Sequence, residues 1–524
     1  MRRFLVLLLA AAVLAASGVL MTCMAETGTT VTYEFLGDRA EDAGFAHGKI
    51  VVTPDDSGAQ DGYYLVYFTD ENGVLAGYDE LAFAPITGSK TTIAVGDGLM
   101  IPLGATGIAV FESDTHFVDE PPAIETAVAA CSIPESKRLL SLGELQTGFG
   151  ALSDTHMNYQ QHDRGAYEKL AYAMDFMAKE GMEYVVITGD ATGDRGENPD
   201  LEAQYEKHLE ILRDSDFDES KVYEGIGNHG NTPRDNALLS QYLGGADEDH
   251  PYEHSPYFSV LKKGTEGQRD LLWIFAAQEL NAPGDSVKYD NFSKEQMDWI
   301  EGLLTTYGET ETNIFMIVHS PFLNFGAGDR KNGGYGACID FRSEFEQNMR
   351  LKQLLSDYKN VVVMSGHTHV TFYDGVNYSD ENGSFARTVH VGSSSQPCGY
   401  GASDKYARST DGRYTVTPEY GSEGYTVEIY EKYIVFTGYN FSTGKKIPAA
   451  CLLLPVDINA PLQDEATSLP ESTDESVAQS IEQSTGETSA NKNGGLPIGG
   501  IVVGCAVLTA GAVLAAVLIG KKKK

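Results

Sequence analysis

The sequence predicts an α/β layered domain preceded by a small all-β domain. Two observations carry this. From about residue 30 to 131 short alternating apolar runs recur without helical periodicity, as in antiparallel sheets. After residue 139 the rhythm changes to strand, loop, helix, as in a layered α/β domain. The 42% hydrophobic and 22% charged residues of the 524-residue chain exclude global disorder, and the length allows two to four folded units.

In the first part, strands are expected at 32–35, 49–52, 63–68, 91–95 and 107–111. Ser57-Gly58 and Asp70-Glu71-Asn72-Gly73 punctuate them as turns. Strands so spaced suggest a β-sandwich of immunoglobulin-like or fibronectin-like type over 30–137, and no chemical constellation stands out in it. A spacer or a cover packed on the next domain is its expected role, ahead of carbohydrate binding.

The second part spans 140–456. A strand at 149–152 leads into a loop, then a helix opens near Gly165 with Leu170, Met174 and Met177 on one face. Buried strands follow at 184–187, 221–226, 271–276, 314–318 and 361–364. Ser293 with Gln296, and Ser343 with Glu346, have capping-box spacing and open two more helices. From Arg387 strands return at 388–391, 425–429 and 433–436, completing a second sheet.

The ends speak to compartment. Met1-Arg2-Arg3 and the apolar run behind it read as a secretory signal over 1–25, with cleavage expected after Ala25. Leu20-Met21-Thr22-Cys23 is a poor lipobox, because Thr22 stands where a smaller residue is usual. Residues 457–496 are rich in Ser, Thr, Glu, Gln and Asp and carry no aromatics, so they are expected to form a disordered stalk. Residues 498–520 carry no charge and suffice for a transmembrane helix, with the lysines of 521–524 in the cytoplasm. The body is then outside the cell, anchored in the membrane through that helix. Leu496-Pro497-Ile498-Gly499-Gly500 is similar to a sortase sorting signal, with Gly499 in place of the usual Thr, and wall attachment is the alternative.

The formal charge of −37 argues against nucleic acid as a general partner. Cys131, Cys338, Cys398 and Cys451 are too scattered to be a disulfide framework, and their spacing assigns no pairing.

Five segments stand just behind predicted strands: Asp154-Thr155-His156, Gly189-Asp190, Gly227-Asn228-His229, His319, and Gly366-His367-Thr368-His369. Ligand sites of open α/β sheets lie at the carboxyl ends of strands, and Asp, Asn and His supply oxygen and imidazole ligands for divalent transition metals. Singly, each segment reads equally as a cap, a turn or a packed histidine. Five in this order make a metal site.

In these segments the sequence resembles the calcineurin-like metallophosphoesterase superfamily, over roughly residues 145–455. The resemblance implies a four-layer αββα sandwich, two mixed sheets between helices, with two metal ions at the strand ends. It implies that Asp154, His156, Asp190 and His369 hold one ion, and Asp190, Asn228, His319 and His367 the other, with Asp190 bridging. Manganese, iron or zinc suits such ligands. The activity implied is hydrolysis of phosphomonoesters or phosphodiesters by a hydroxide between the ions, with His229 as general acid.

Departures from the family pattern matter. Gly230 stands where the family usually has Asp or Glu after Gly-Asn-His, so the orientation of His229 must come from elsewhere. Asp194 is a candidate for it, and Arg195 beside it a candidate phosphate contact, as in the protein phosphatase branch with one residue inserted. Gly193 stands where purple acid phosphatases place a metal-binding Tyr, so their charge-transfer iron site is not expected. Arg234, Arg164 and His162 are further candidate substrate contacts, whereas His250 and His254 read as loop residues and Tyr252, Tyr257 and Phe258 as packing. Specificity is expected in loops such as 322–338 and 392–406. The competing function is a surface binding or adhesion protein on a silent phosphoesterase fold.

Overall fold

The computed structural model describes residues 20–24, 28–36, 43–55, 61–115, 120–139, 141–157, 165–192, 200–229, 257–277, 292–329, 338–343, 345–374, 376–397 and 421–457. All lie in the unit Met1–Glu465.

The N-terminal strands are β1 (Leu20–Met24), β2 (Thr30–Phe35), β3 (Gly48–Thr53), β4 (Tyr63–Asp70), β5 (Gly73–Val74), β6 (Ala82–Pro85), β7 (Thr91–Val95), β8 (Gly107–Ser113) and β9 (Ala129–Ser132). They make two antiparallel sheets, ordered β1-β2-β3-β7 and β5-β4-β8-β9, with β6 paired to β4. Alternate residues (Val31, Tyr33, Ile50 and Val52 from one sheet, Tyr64, Val66, Phe68 and Val110 from the other) share one core, as period-two side chains of facing sheets must. Asn72 N–H donates to Asp70 Oδ1 at 2.7 Å, closing the expected turn between β4 and β5. Strand β1 lies within the expected leader, where its backbone pairs with β2 from Leu20 opposite Glu34 to Met24 opposite Thr30.

The second part contains β10 (Leu145–Leu152), α1 (Ala166–Lys179), β11 (Tyr184–Ile187), α2 (Leu201–Asp214), β12 (Val222–Glu224), β13 (Phe258–Lys262) and β14 (Asp270–Ala276). There follow α3 (Lys294–Tyr307), β15 (Thr312–Val318), α4 (Glu346–Asp357), β16 (Val362–Ser365), β17 (Tyr378–Ser379) and β18 (Arg387–His390), then β19 (Glu423–Tyr430), β20 (Tyr433–Asn440) and β21 (Lys445–Pro455). One mixed sheet runs β12-β11-β10-β19-β20-β21, with β10, β11 and β12 parallel. The other runs β13-β14-β15-β16-β18-β17, with its four central strands parallel. The returning strands thus divide: β18 joins the second sheet, while β19 to β21 extend the first rather than completing the second.

Burial explains the layering. All seven residues of β15 are buried, as a strand covered on both faces requires. Phe149 and Val186 of the first sheet share a core with Trp273, Phe315 and Met364 of the second. On the first sheet's outer face, Leu152, Val185 and Ile187 meet Leu170, Met174 and Met177 of α1 and Leu212 of α2. On the second's, Leu272, Ile314 and Val363 meet Met297 and Ile300 of α3 and Leu351 and Leu355 of α4.

Helix starts follow their caps only in part. Ser293 Oγ accepts from Gln296 N–H at 3.2 Å, but the Gln296 side chain turns instead to Ala277, bonding its N–H and carbonyl at 2.9 and 2.8 Å. Only half of that capping box forms. The second is absent: α4 begins at Glu346 behind Phe345, which offers no side-chain cap, and Ser343 lies outside the helix. Cys131, Cys338 and Cys451 are separate buried thiols; Cys398 falls outside the described residues.

Segments that connect the N-terminal strands cover an edge. Met100 N–H donates to the Cys451 carbonyl at 2.8 Å, and Leu453 N–H to that of Gly98 at 2.9 Å. Asp79 N–H and Lys446 N–H bond the carbonyls of Lys446 and Gly77, each at 2.9 Å. Strand β21 therefore does not present a free row of backbone groups. Among the described residues no helix is long and apolar enough to cross a membrane; 498–520 lie outside them.

Candidate metal centre

Each ligand candidate sits behind a parallel strand. Asp154 and His156 follow β10, Asp190 follows β11, and Asn228 and His229 follow β12. From the other sheet His319 follows β15, while His367 and His369 follow β16. Both sheets thus aim their carboxyl ends at one point.

The backbone there is unusual. Eight described non-glycine residues have positive φ, and five of them are Asp154 (52°), His156 (47°), Asp190 (58°), His367 (68°) and His369 (54°). Asp and His tolerate this left-handed region better than most residues, but it persists only where surroundings over-determine it. Here they do: Asp154 N–H donates to the Gly189 carbonyl at 3.1 Å, and His156 N–H to that of Asp190 at 3.0 Å. His367 N–H donates to Asp154 Oδ2 at 3.0 Å, and His229 N–H to Asp190 Oδ1 at 2.8 Å.

Side chains gather in two groups. In one, Asp154 Oδ1 lies 3.1 Å from His369 Nε2 and 3.7 Å from His156 Nε2, and the two imidazole nitrogens are 3.0 Å apart. In the other, Asp190 Oδ2 lies 3.1 Å from His319 Nε2, and Asn228 Oδ1 lies 2.8 Å from His367 Nδ1. Asp190 Oδ2 also lies 3.8 Å from His156 Nε2, between the groups. Ligand atoms of Asp154, His156 and His369, and of Asp190, His319 and His367, each fall within 4.8 Å of one another. Gaps of 3–4 Å between donor atoms suit a shared cation about 2 Å from each.

The residues fit metal ions on a second count. Asp154 is fully buried, yet its Oδ1 accepts no hydrogen bond of good geometry, which is costly unless a cation completes it. Burial alone would raise its carboxyl, but His369 and His319 hold it well below the usual range. Asp190 is lowered likewise, against burial, by His319 and His229. His367 is pushed down to about 3 by burial and then by His319, keeping the imidazole neutral as a ligand must be.

The remaining site predictions separate. His229 stands at the centre, its ring 5.0 Å from that of His156 and edge-on to it. Asp194, Arg195, Arg234, Arg164, His162, Tyr252, His250 and His254 fall outside the described residues. Tyr257 packs on Trp299 and Phe258 stacks on Phe275, as expected of packing residues. Sequence reasoning missed the supports. Thr188 Oγ1 donates to Ser153 Oγ, which donates to Asp154 Oδ2, both at 2.6 Å. Ser393, Ser394, Ser395 and Gln396, expected in a specificity loop, are instead buried against the strand ends. Their position directly behind β18, like the motifs behind the other strands, was the available signal.

A two-sheet α/β domain with carboxylates and imidazoles converging at its strand ends is a framework able to hold divalent cations. Residues 148–371 match the family model of the calcineurin-like phosphoesterases. Among solved structures, a dimetal phosphatase from Danio rerio is similar at 13% identity and a TM-score of 0.41, over 60% of this chain and 100% of that one. A purple acid phosphatase from yellow lupin seeds is similar at 12% identity and a TM-score of 0.36, over 84% and 74%. No curated protein sequence matches the chain.

Proposed function

We propose that the protein is a phosphoric ester hydrolase acting on phosphomonoesters or phosphodiesters outside the cell, tethered by 498–520. The observation that carries the reading is the convergence of Asp154, His156 and His369, and of Asp190, His319 and His367, at strand ends within 4.8 Å in each group. The leader, stalk and tail read from the sequence support the location. The retained ligand set favours an enzyme over a silent binding module.

Asp154, His156, Asp190 and His369 would hold one divalent cation, and Asp190, Asn228, His319 and His367 another. When bound, the two supply charge to the phosphoryl oxygens and acidify water at the site. The chain does the rest. Asp190 spans the two groups with its carboxylate while its Oδ1 fixes the backbone of His229. The His229 imidazole then gives a proton to the leaving oxygen, a general-acid role open to an imidazole beside the site. The N-terminal part, read as an immunoglobulin-like or fibronectin-like unit, serves as the cover of β21 through the segments that connect its strands.

The test is turnover of para-nitrophenyl phosphate and its bis-ester by protein loaded with manganese, iron or zinc. Hydrolysis of either, abolished by chelation and by Asp190→Asn, is the expected result. Inertness on both, with Asp190→Asn and His229→Ala changing nothing on a broader phosphoester panel, would overturn the proposal.

A further inference from the structure

One short buried segment holds two of the candidate ligands at once. Ser393 Oγ and Ser395 Oγ both donate to the Asp154 carbonyl, at 3.1 and 2.6 Å. Ser394 bonds the neighbouring Ser153 carbonyl through its backbone N–H at 2.9 Å and its hydroxyl at 3.2 Å. The next residue takes the other ligand: the Gln396 carbonyl stands 3.1 Å from His369 Nδ1. A carbonyl can only accept, so Nδ1 carries a proton, and in the neutral imidazole that binds a cation Nε2 keeps its lone pair on the side of Asp154 Oδ1.

The segment is itself braced from two directions. Lys169, on α1, donates from Nζ to the Ser395 carbonyl at 2.8 Å. Glu423 N–H, at the start of β19, donates to the Ser393 carbonyl at 3.0 Å. The Glu423 carboxylate meanwhile accepts from Thr371 Oγ1 at 2.6 Å and Phe372 N–H at 2.9 Å, just behind His369. Ser393 and Ser395 are almost wholly buried, so water cannot take over a lost hydroxyl without rearrangement.

We propose that Ser393 and Ser395, braced by Lys169, are positioning residues for one side of the centre. They hold Asp154 in its left-handed turn, keep His369 in the tautomer that offers Nε2, and so set the affinity of the cation shared by Asp154, His156 and His369. The cation on Asn228, His319 and His367 depends on them less, since it meets Asp154 only indirectly, through the bond from His367 N–H to Asp154 Oδ2. The inference rests on the two-cation reading above.

The experiment is calorimetric titration of the metal-free full chain with manganese, for wild type, Ser395→Ala, Ser393→Ala/Ser395→Ala and Lys169→Met. Wild type is expected to bind two ions in two steps. Loss of such supporting bonds weakens metal binding by about 10- to 100-fold. One step should weaken by about 10-fold in Ser395→Ala and about 100-fold in the double variant, with the other within about twofold. Lys169→Met reaches the same segment from a different element and should weaken that same step. A purely structural role would lower both steps together along with the denaturation midpoint of the metal-free protein. That result, or no change in either step, overturns the inference while leaving two-ion binding intact. Fewer than two ions on wild type overturns both readings.

Discussion

Substituting Gly189 by alanine tests how the centre is built. Gly189 precedes Asp190 with φ of +134°, a conformation that side chains rarely adopt. A Cβ there would stand 2.7 Å from the backbone nitrogen of Gly227, 2.9 Å from its Cα and 2.8 Å from His319 Nδ1. Ordinary contact begins at 3.4 Å, so neighbours must retreat by about 0.5–0.7 Å. Two of those atoms are backbone and the third belongs to the buried His319, so none can swing aside. The conformational penalty is roughly 1–3 kcal/mol and overpacking adds roughly the same. We expect a loss of about 2–6 kcal/mol, read as a lower denaturant midpoint with unchanged slope. Metal binding should weaken with it, because the displaced atoms carry His319 and the turn leading to Asn228. An alanine variant with wild-type midpoint and wild-type manganese affinity would refute the claim that close approach of these two loops makes glycine obligatory.

Three further outcomes are expected. His229→Ala should lower turnover of an activated phosphoester by about 10²–10⁴-fold with the manganese stoichiometry unchanged; a lost ion would show instead that His229 is a ligand, since its ring also lies within reach of His156 and Asp190. Stability of the metal-free protein should fall on acidification: burial pushes His390 down to about 4 from its ordinary 6.5, so between those values the unfolded chain takes up a proton that the fold refuses. That contribution is fully present above 6.5 and is lost by up to roughly 3 kcal/mol as pH falls to 4, and a flat midpoint across this window would contradict it. Gly302→Ala, inside α3 with nothing within 4 Å of the added Cβ, should stabilise by up to ~1 kcal/mol in the same denaturation assay.

What the sequence disclosed followed from how local each signal is. The strand at 184–187 was legible to the residue because β11 is a short apolar run between a helix and a Gly-Asp turn. The ligand candidates were legible because each must sit immediately behind a strand, a constraint written in neighbouring residues. The supports were not. The bond from Ser395 to Asp154 joins residues 241 apart, and that from Lys169 to Ser395 joins residues 226 apart. Serine after a strand reads as loop until tertiary structure shows what it faces. The same applies to sheet membership: 388–391 and 425–429 look alike as strands, but pairing sends them to different sheets. The cap at Ser343 misled because the motif names residue types and spacing, while the helix starts only at Glu346, behind Phe345.

The left-handed residues explain why the centre is recognisable at all. A residue with positive φ carries a backbone strain that a loop of ordinary residues would avoid, and five such residues at one point would be unfavourable if they served only to turn the chain. The strain is rational if those turns are what bring side chains from two sheets to a common focus. Asp154 and His369 illustrate it, since their left-handed turns set Oδ1 and Nε2 3.1 Å apart from loops far distant in sequence. The arrangement also answers the chain's charge. An overall −37 repels phosphate, but around Asp154 and Asp190 the near neighbours are His156, His319, His367 and His369, and two cations there would outweigh the two carboxylates. A phosphoester would then meet a locally positive focus on a chain whose net charge is negative.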